Sequence, residues 1–216
     1  MTLLEGLGLA PPEVVALIGG GGKTTLLYQL GAEARRAGWR VLLTTTTRML
    51  PPEAHQATRV DSPLTAEPLP LWTRPPVQGK LAGVTPHEVD ALHGWDLVAV
   101  EADGSRGLPV KVHAKGEPVM PASATLAVAV LGLSALHRPA REVVHRFVGP
   151  DPETRLDPER LAGFLRRMLG RVRVARTAIV LNQAEDLAAA RQVARACAGL
   201  AGGCLLRSWT HLEVAW

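Results

Sequence analysis

The sequence has few cysteines and no long apolar or basic run, and each shortage excludes a class of protein. Its two cysteines, Cys197 and Cys204, form no CxxC pair, so we expect ordinary thiols and no zinc site. No apolar run reaches the roughly 20 residues that a membrane-spanning helix needs. The basic residues are scattered along the chain, unlike a nucleic-acid-binding arm. We therefore expect neither a membrane nor a nucleic acid as partner.

The start of the chain and its composition indicate an ordinary globular protein. The first residues, MTLLEGLGLAPPE, have no basic region before their apolar part, so no signal peptide is predicted and the cytoplasm is the expected location. Hydrophobic residues make up 47% and charged residues 20% of the 216 residues, a balance typical of chains that bury a core. We predict a single domain over residues 1–216, with a proline-rich excursion at about 51–80.

Apolar runs alternate with helical patterns along most of the chain. The predicted strands lie at 13–18, 40–43, 97–101, 125–131, 177–181 and 204–207, and the predicted helices at 24–37, 86–92, 157–169 and 186–198. Strands separated by helices indicate a mostly parallel β-sheet with helices on both faces, a three-layer α/β/α fold. The poor periodicity of residues 51–76 indicates a long surface segment, in which a short hairpin is an option.

A glycine-rich loop stands between the first predicted strand and the first predicted helix. The stretch LIGGGGKTT resembles the Walker A pattern of P-loop proteins, with Leu17 in the place of its first glycine. Glycines let backbone N–H groups approach a phosphate closely, and the helix start adds donors and the positive end of its dipole. The fold prediction is therefore P-loop NTPase-like. The alternative is a glycine-rich turn with an incidental lysine.

The side chains that follow the glycines complete the predicted phosphate site. Lys23 would reach the β- and γ-phosphates, and Thr24 would place its hydroxyl on Mg²⁺. The predicted nucleotide-binding residues of this loop are Gly19, Gly20, Gly21, Gly22, Lys23, Thr24 and Thr25.

Two carboxylates come at the end of the strand predicted at 97–101. Glu101 is its last residue, and Asp103 begins the turn beyond it. Residues at positions i and i+2 of an extended segment point the same way, so both can face the metal edge of the loop. We assign Glu101 to Mg²⁺ and Asp103 to positioning the metal or an attacking water. The predicted catalytic residues are Lys23, Glu101 and Asp103, and the predicted metal ligands are Thr24 and Glu101.

A third strand end carries a candidate for contact with the base. The stretch VLNQAED resembles the N-K-x-D element that holds guanine in many nucleotide-binding proteins, with Gln183 in place of the lysine. Asn182 and Glu185 are predicted to contact the nucleotide, while Asp186 is an alternative cap for the next helix. The base, in ATP or GTP, stays open.

Threonines end the second predicted strand, at the sheet edge where ligands bind in doubly wound folds. The hydroxyls of Thr45, Thr46 and Thr47 are suited to the γ-phosphate, to Mg²⁺ or to a second substrate. Threonine also simply favours strands, so both interpretations stay open.

Taken together, these stretches resemble one family, the accessory proteins of selenium-dependent molybdenum hydroxylases, a YqeC-like group of P-loop proteins. The matching stretches are IGGGGKTTLL, VLLTTTTRM, GKLAGVTPHEVDAL, LVAVEADGSRGLPVKV with GEPVMP, LGLSALHRP with VVHR, and VLNQAED. The resemblance implies a nucleotide-dependent helper in the maturation of molybdenum-cofactor enzymes of the xanthine dehydrogenase type. Arg106 stands where the family usually has lysine, which keeps the positive charge but changes its geometry.

The resemblance also draws attention to residues away from the glycine loop, namely Lys80, Lys111, Glu117, His145 and Arg146. Arg106, Lys111 and Arg146 are predicted to gather around a second anionic group such as a pterin phosphate. Each of them alone is more often a surface or structural residue, so the prediction concerns the cluster and not any single member. The candidate second-substrate residues are Thr45, Thr46, Thr47, Arg106, Lys111, His145 and Arg146.

Three functions fit these residues. The first is a Mg²⁺-dependent NTP hydrolase, or a phosphoryl or nucleotidyl transferase, that assists maturation of molybdenum-cofactor hydroxylases. The second is a nucleotide-gated chaperone or cofactor carrier, with the molybdenum cofactor as substrate or cargo and a hydroxylase or a cofactor-maturation protein as partner. The third is a small-molecule kinase. In all three, catalysis or gating depends on positioning and charge neutralisation by Lys23, Thr24, Mg²⁺ and Glu101.

Overall fold

A computed structural model of the chain describes residues 1–64, 67–208 and 210–216. The strands are β1 (Glu13–Gly19), β2 (Val41–Thr45), β3 (Thr58–Val60), β4 (Pro70–Trp72), β5 (Arg74–Val77), β6 (Lys80–Ala82), β7 (Leu97–Glu101), β8 (Val110–Lys111), β9 (Leu126–Gly132), β10 (Val144–His145), β11 (Arg176–Asn182), β12 (Cys204–Arg207) and β13 (Leu212–Val214). The helices are α1 (Leu3–Gly6), α2 (Lys23–Arg36), α3 (Pro86–Asp90), α4 (Ala140–Val143), α5 (Pro158–Leu169) and α6 (Leu187–Ala196), and a 3₁₀ turn spans Leu133–Ala135.

Nine strands form one sheet in the order β13-β12-β11-β9-β1-β7-β2-β4-β3. Every neighbouring pair is parallel except β12 with β13, which is antiparallel. Strand β1 lies between β9 and β7, and Leu17 of β1 stands opposite Glu101 of β7. The carboxyl ends of these central strands therefore meet at one edge, where the glycine loop begins. This confirms the predicted mostly parallel α/β sheet, which is consistent with a P-loop NTPase-like architecture.

The central strands are buried on both faces because helices cover both sides of the sheet. On β1, Leu17 packs into the core beneath α2, whereas the next residue, Ile18, packs into the core beneath α5 and α6. All seven residues of β9 are buried, as expected of a central parallel strand. The two cores on opposite faces of the sheet give the three layers.

Helix boundaries follow the signals in the sequence. Asp157 accepts the Arg160 N–H and Pro158 opens α5, as predicted, and Asp186 caps α6 by accepting the N–H groups of Ala188 and Ala189. The longest helix, α2, has 14 residues. Among the described helices, none combines the length and apolar character needed to cross a membrane.

The excursion at 51–80 is more regular than expected. Its strands β3 and β4 extend the main sheet beyond β2, and β5 and β6 form the hairpin that the sequence left as an option. Residues 65 and 66 of this excursion lie outside the described residues. The sequence analysis also missed α1 and β13. Strands of three residues and a helix of four are too short to give a periodic pattern.

Candidate functional site

The four glycines connect β1 to α2 in a conformation that other residues rarely adopt. Gly19, Gly21 and Gly22 have φ values of 103°, 78° and 108°. A Cβ atom at Gly21 would lie 2.4 Å from Cα of Gly132, and one at Gly22 would lie 2.3 Å from the amide nitrogen of Asn182. Gly22 precedes α2 without any side-chain cap. The first N–H groups of α2 are therefore left for a ligand, which is the usual arrangement of an anion site.

The loop is bonded to several other segments. The N–H of Gly19 donates to Oδ2 of Asp103 at 2.8 Å, that of Gly20 to the carbonyl of Val130 at 2.9 Å, and that of Gly21 to the carbonyl of Leu108 at 3.1 Å. The segment of residues 104–109, which follows β7, thus contacts the loop through Leu108 and Pro109. Because the N–H groups of Gly19, Gly20 and Gly21 are already hydrogen-bonded, an anion would first meet the N–H groups at the start of α2.

Lys23 is the buried cation of the loop. Its side chain is 3% exposed, and Nζ donates to the carbonyl of Gly19 at 2.7 Å. The same atom lies 3.1 Å from Oδ1 of Asp103 and 3.9 Å from Oε1 of Glu101. The structure therefore brings the three predicted catalytic residues together, with Lys23 between the two carboxylates.

The two carboxylates differ although only one residue separates them. Burial raises the pKa of Glu101 and outweighs the lowering by Lys23 and by the Thr24 hydroxyl. Burial also acts to raise the pKa of Asp103, but Lys23, His113, Lys111 and the Gly19 N–H lower it below its usual range. Asp103 therefore favours the ionised form. The positive charge near Glu101 is too small to offset the burial of its carboxylate, so Glu101 disfavours the ionised form.

Thr24 and Glu101 are the residues that fit Mg²⁺. The Thr24 hydroxyl donates to Oε2 of Glu101 at 2.7 Å, and both groups offer the oxygen ligands that Mg²⁺ prefers. Among the described residues, no group of three or more His, Cys, Asp or Glu side chains is arranged to hold a metal. Mg²⁺ at nucleotide sites is usually held by one or two protein oxygens together with phosphates and waters, so this pair is sufficient.

The threonines at the end of β2 bind backbone carbonyls. The Thr45 hydroxyl donates to the carbonyl of Glu101 at 2.8 Å, and that of Thr46 to the carbonyl of Val119 at 2.6 Å. The Thr47 hydroxyl lies 3.4 Å from that of Thr45. The Thr45 contact ties β2 to the end of the strand that carries Glu101. A second-substrate role for the threonines stays a prediction.

Asn182 contacts the glycine loop. Its amide nitrogen donates to the carbonyl of Gly21 at 2.7 Å, and its oxygen accepts from Arg207. Glu185 is exposed, and Asp186 serves as the helix cap noted above. The structure thus gives Asn182 a contact with the loop, and the predicted base contacts of Asn182 and Glu185 stay predictions.

A buried ionic cluster extends from Asp103 to the surface. Lys111 is fully buried, with Nζ donating to the carbonyl of Gly104 at 2.5 Å and lying 3.9 Å from Oδ2 of Asp103. It also lies 3.0 Å from Oε2 of Glu117, which accepts from Arg146 at 2.6 Å. Burial lowers the pKa of Lys111 and outweighs the opposing effect of the two carboxylates. The ammonium group of Lys111 contacts protein atoms here, and its predicted role at a second anionic group stays a prediction.

His145 and Arg106 complete this side of the site. His145 stands opposite Lys111 in the two-stranded sheet of β8 and β10. Burial lowers the pKa of His145, and the positive charges of Arg146, Lys111 and Arg106 lower it further. Arg106 is exposed. Four of the predicted second-substrate residues therefore lie near one another, namely Arg106, Lys111, His145 and Arg146.

The sequence analysis missed two buried side chains of the site. Nε2 of His113 lies 2.6 Å from Oδ2 of Asp103, and Arg207 holds Asn182. His113 stands two residues after Lys111, so the i, i+2 rule that linked Glu101 to Asp103 could have found it. Arg207 carried no comparable signal, because its contact arises from the pairing of β12 with β11.

Comparison with known proteins identifies the family. The family model described as "YqeC protein" matches residues 15–148. The chain belongs to the YqeC family. Among curated proteins, it is similar to "Uncharacterized protein YqeC" of Escherichia coli (strain K12), with 34% identity over 178 residues that cover 74% of this chain and 70% of the relative. No solved structure matches the chain.

The YqeC match contains most of the site. The glycine loop, both carboxylates and the ionic cluster from Lys111 to Arg146 lie within residues 15–148. Asn182 and Arg207 lie beyond the span of the YqeC model. The loop with its carboxylates is therefore part of the region that identifies the family.

Proposed function

We propose that the protein binds a nucleoside triphosphate, ATP or GTP, with Mg²⁺ at the loop of Gly19–Gly22, and hydrolyses it or transfers its phosphoryl or nucleotidyl group. One observation carries this proposal. Lys23 lies at the start of α2 between Asp103 and Glu101, and Glu101 accepts the hydroxyl of Thr24. A cation for the phosphates and a hydroxyl–carboxylate pair for the metal thus stand side by side at a helix N-terminus, as nucleotide chemistry requires.

Each side chain then has one role. Lys23 neutralises the β- and γ-phosphates, and Thr24 with Glu101 holds Mg²⁺, which supplies further charge neutralisation when bound. Asp103 positions Lys23 and the loop, because its carboxylate contacts both the ammonium group and the Gly19 N–H. Ionisation of Glu101 becomes favourable beside a divalent cation, which offsets the cost of its burial.

The biological role that we propose is assistance in maturing molybdenum-cofactor hydroxylases. It rests on the YqeC-like resemblance and on the nucleotide site together. Hydrolysis would drive a step that involves the cofactor, a hydroxylase or a cofactor-maturation protein.

A second candidate function is transfer to an anionic acceptor, for which Arg106, His145 and Arg146 are suited. Within the cluster, the carboxylate of Glu117 pairs with both Lys111 and Arg146, while Arg106 is exposed. Arg106 and Arg146 both have positive φ, 54° and 59°, a conformation that is uncommon outside glycine and that often marks functional sites. The cluster adjoins the loop through Lys111 and Asp103, so an acceptor there would lie near the triphosphate.

Thermal unfolding with added ligand tests the proposed function. We would titrate the protein with ATP, GTP, CTP and a molybdopterin nucleotide, each with and without Mg²⁺. A ligand at 100 times its Kd should add about 2.7 kcal/mol to the free energy of unfolding. Lys23→Ala should remove this stabilisation, and Lys115→Ala, at an exposed position, should retain it. Stabilisation that survives Lys23→Ala would refute the site.

Product analysis separates the reactions. Release of free phosphate alone supports hydrolysis, whereas a phosphorylated compound supports transfer to an acceptor. Hydrolysis that a partner hydroxylase accelerates favours the nucleotide-gated chaperone or carrier.

A further inference from the structure

Arg207 is a buried cation that has only neutral hydrogen-bond partners. It ends β12 with 6% exposure, and its two terminal nitrogens donate to the side-chain oxygens of Asn182 and Gln29. In the described part of the chain, no carboxylate forms an ion pair with it. The nearby carboxylate of Glu33 accepts the N–H of Leu3 at 2.6 Å instead. A buried charge without a counter-charge is costly, so this arrangement needs an explanation.

Arg207 fixes the orientation of the Asn182 amide. A guanidinium group only donates hydrogen bonds, so the oxygen of Asn182 must face it. The amide nitrogen then faces the phosphate loop, where it donates to the carbonyl of Gly21 at 2.7 Å. Asn182 and Arg207 are also direct partners in the register of β11 and β12. The contact to the loop is thus set by a side chain on the next strand.

This contact determines which way one peptide of the loop points. The peptide between Gly21 and Gly22 is trans, because the cis peptides of the described chain precede Pro12 and Pro118. In a planar trans peptide the C=O and N–H groups point in opposite directions. Since the Gly21 carbonyl points to Asn182, the Gly22 N–H points away from Asn182.

We propose that Arg207 is a positioning residue for triphosphate binding, which acts through Asn182 to hold the Gly22 N–H toward the anion. This inference rests on the proposed function. Binding is therefore expected to depend on a side chain that contacts no phosphate.

The test is the Kd of the β,γ-imido analogues of ATP and GTP with Mg²⁺, measured by calorimetry. Losing a hydrogen bond from a charged group typically weakens an interaction roughly tenfold or more, so we expect this loss in Arg207→Gln. Arg207→Lys keeps the charge but cannot donate to Asn182 and Gln29 with the same planar fork, so we expect an intermediate Kd. Arg176→Gln is the matched control, because Arg176 begins the neighbouring strand β11 and pairs with Glu13 at the other end of the sheet.

A purely structural role would lower the free energy of unfolding of the ligand-free protein and leave the Kd unchanged. If Arg207→Gln does not fold, Asn182→Asp decides, because it keeps the side-chain shape but places an oxygen against the Gly21 carbonyl. Unchanged Kd in the folded Arg207 and Asn182 variants, with binding lost in Lys23→Ala, overturns this inference alone. Failure of the wild-type protein to bind either analogue overturns the proposed function and this inference with it.

Discussion

The two ends of strand β1 both bury charge, but they arrange it differently. At the amino end, Glu13 is buried and each of its carboxylate oxygens has a partner. One accepts from Arg176 and the other from the hydroxyl of Thr125. Both oxygens of the Glu13 carboxylate are thus hydrogen-bonded, and the side chain of Arg176 remains partly exposed to solvent. This end of the sheet has the features of a structural contact.

At the carboxyl end, Lys23 meets two carboxylates that themselves meet further ionisable groups. Asp103 is completely buried and contacts Lys23, Lys111 and His113. The other ring nitrogen of His113 is buried without a hydrogen-bond partner in the described structure. Glu101 is buried with its pKa raised, as described above.

The difference shows where the fold carries an energetic cost. The ion pair of Glu13 with Arg176, in which both carboxylate oxygens have partners, needs no role beyond stabilising the fold. At the carboxyl end, Asp103 favours the ionised form and Glu101 disfavours it. An ionised Glu101 therefore does not stabilise the fold. Such perturbed pairs are typical of functional sites, and the comparison therefore supports the site that we propose at the carboxyl end.

The largest expected effect contrasts one acid from each end. Asp103→Asn removes the charge between Lys23 and Lys111 and should lower the free energy of unfolding by about 3–5 kcal/mol, the usual cost of breaking a buried ion pair. Glu13→Gln, whose partner is partly exposed, should cost about 1 kcal/mol or less. Chemical denaturation of both variants measures the contrast. Equal losses would mean that the two ends do not differ.

A smaller effect is expected from the lysine beneath the surface cluster. Lys111→Met removes the hydrogen bond to the Gly104 carbonyl and should cost about 1–3 kcal/mol, because that buried acceptor is left without a donor. Lys115→Met, four residues later and exposed, should change stability by less than about 0.5 kcal/mol. If Lys111→Met left the free energy of unfolding unchanged, the ionic cluster would not be what holds residues 104–109 against the loop.

An effect on stability of the opposite sign is expected at Glu101. Because its folded pKa lies above the unfolded value, ionised Glu101 disfavours the folded state of the ligand-free protein. Wild type should therefore lose stability relative to Glu101→Gln as the pH rises from the unfolded to the folded pKa, and the difference should level off above that range. Denaturation curves across this pH range measure it.

The same variant should lose function. Removing a carboxylate that orients a metal site typically costs roughly 10- to 100-fold in metal affinity or activity, so Mg²⁺-dependent turnover should fall. Glu101→Gln that is less stable than wild type at neutral pH, or equally active, would contradict the assignment.

The parts of the fold that the sequence predicted are those with strong local patterns. The glycine loop was found because a buried strand precedes it and Lys23 begins a helix. Glu101 and Asp103 were found because they end an apolar run. The direct pairing of β7 with β1, which brings these acids to Lys23, is a long-range contact that no local pattern encodes.

The parts that were missed depend on contacts between distant segments. The contact of Asn182 with Gly21 depends on the register of β11 with β12, and the ion pair of Lys111 with Glu117 joins residues from separate segments. Strands β3 and β4 lie in a proline-rich stretch, and β4 begins with Pro70. Proline is tolerated at the first residue of a strand, but it gives no positive signal for one.

Four consecutive glycines would form the most flexible stretch of an unfolded chain, yet in the folded protein this loop is tied to separate segments through Asp103, Val130, Leu108 and Asn182. Ordering a backbone costs about 1–2 kcal/mol of conformational entropy per residue. Folding bears this cost before any ligand arrives. An anion therefore meets a loop whose shape is already set, and its binding energy is not used to order the loop.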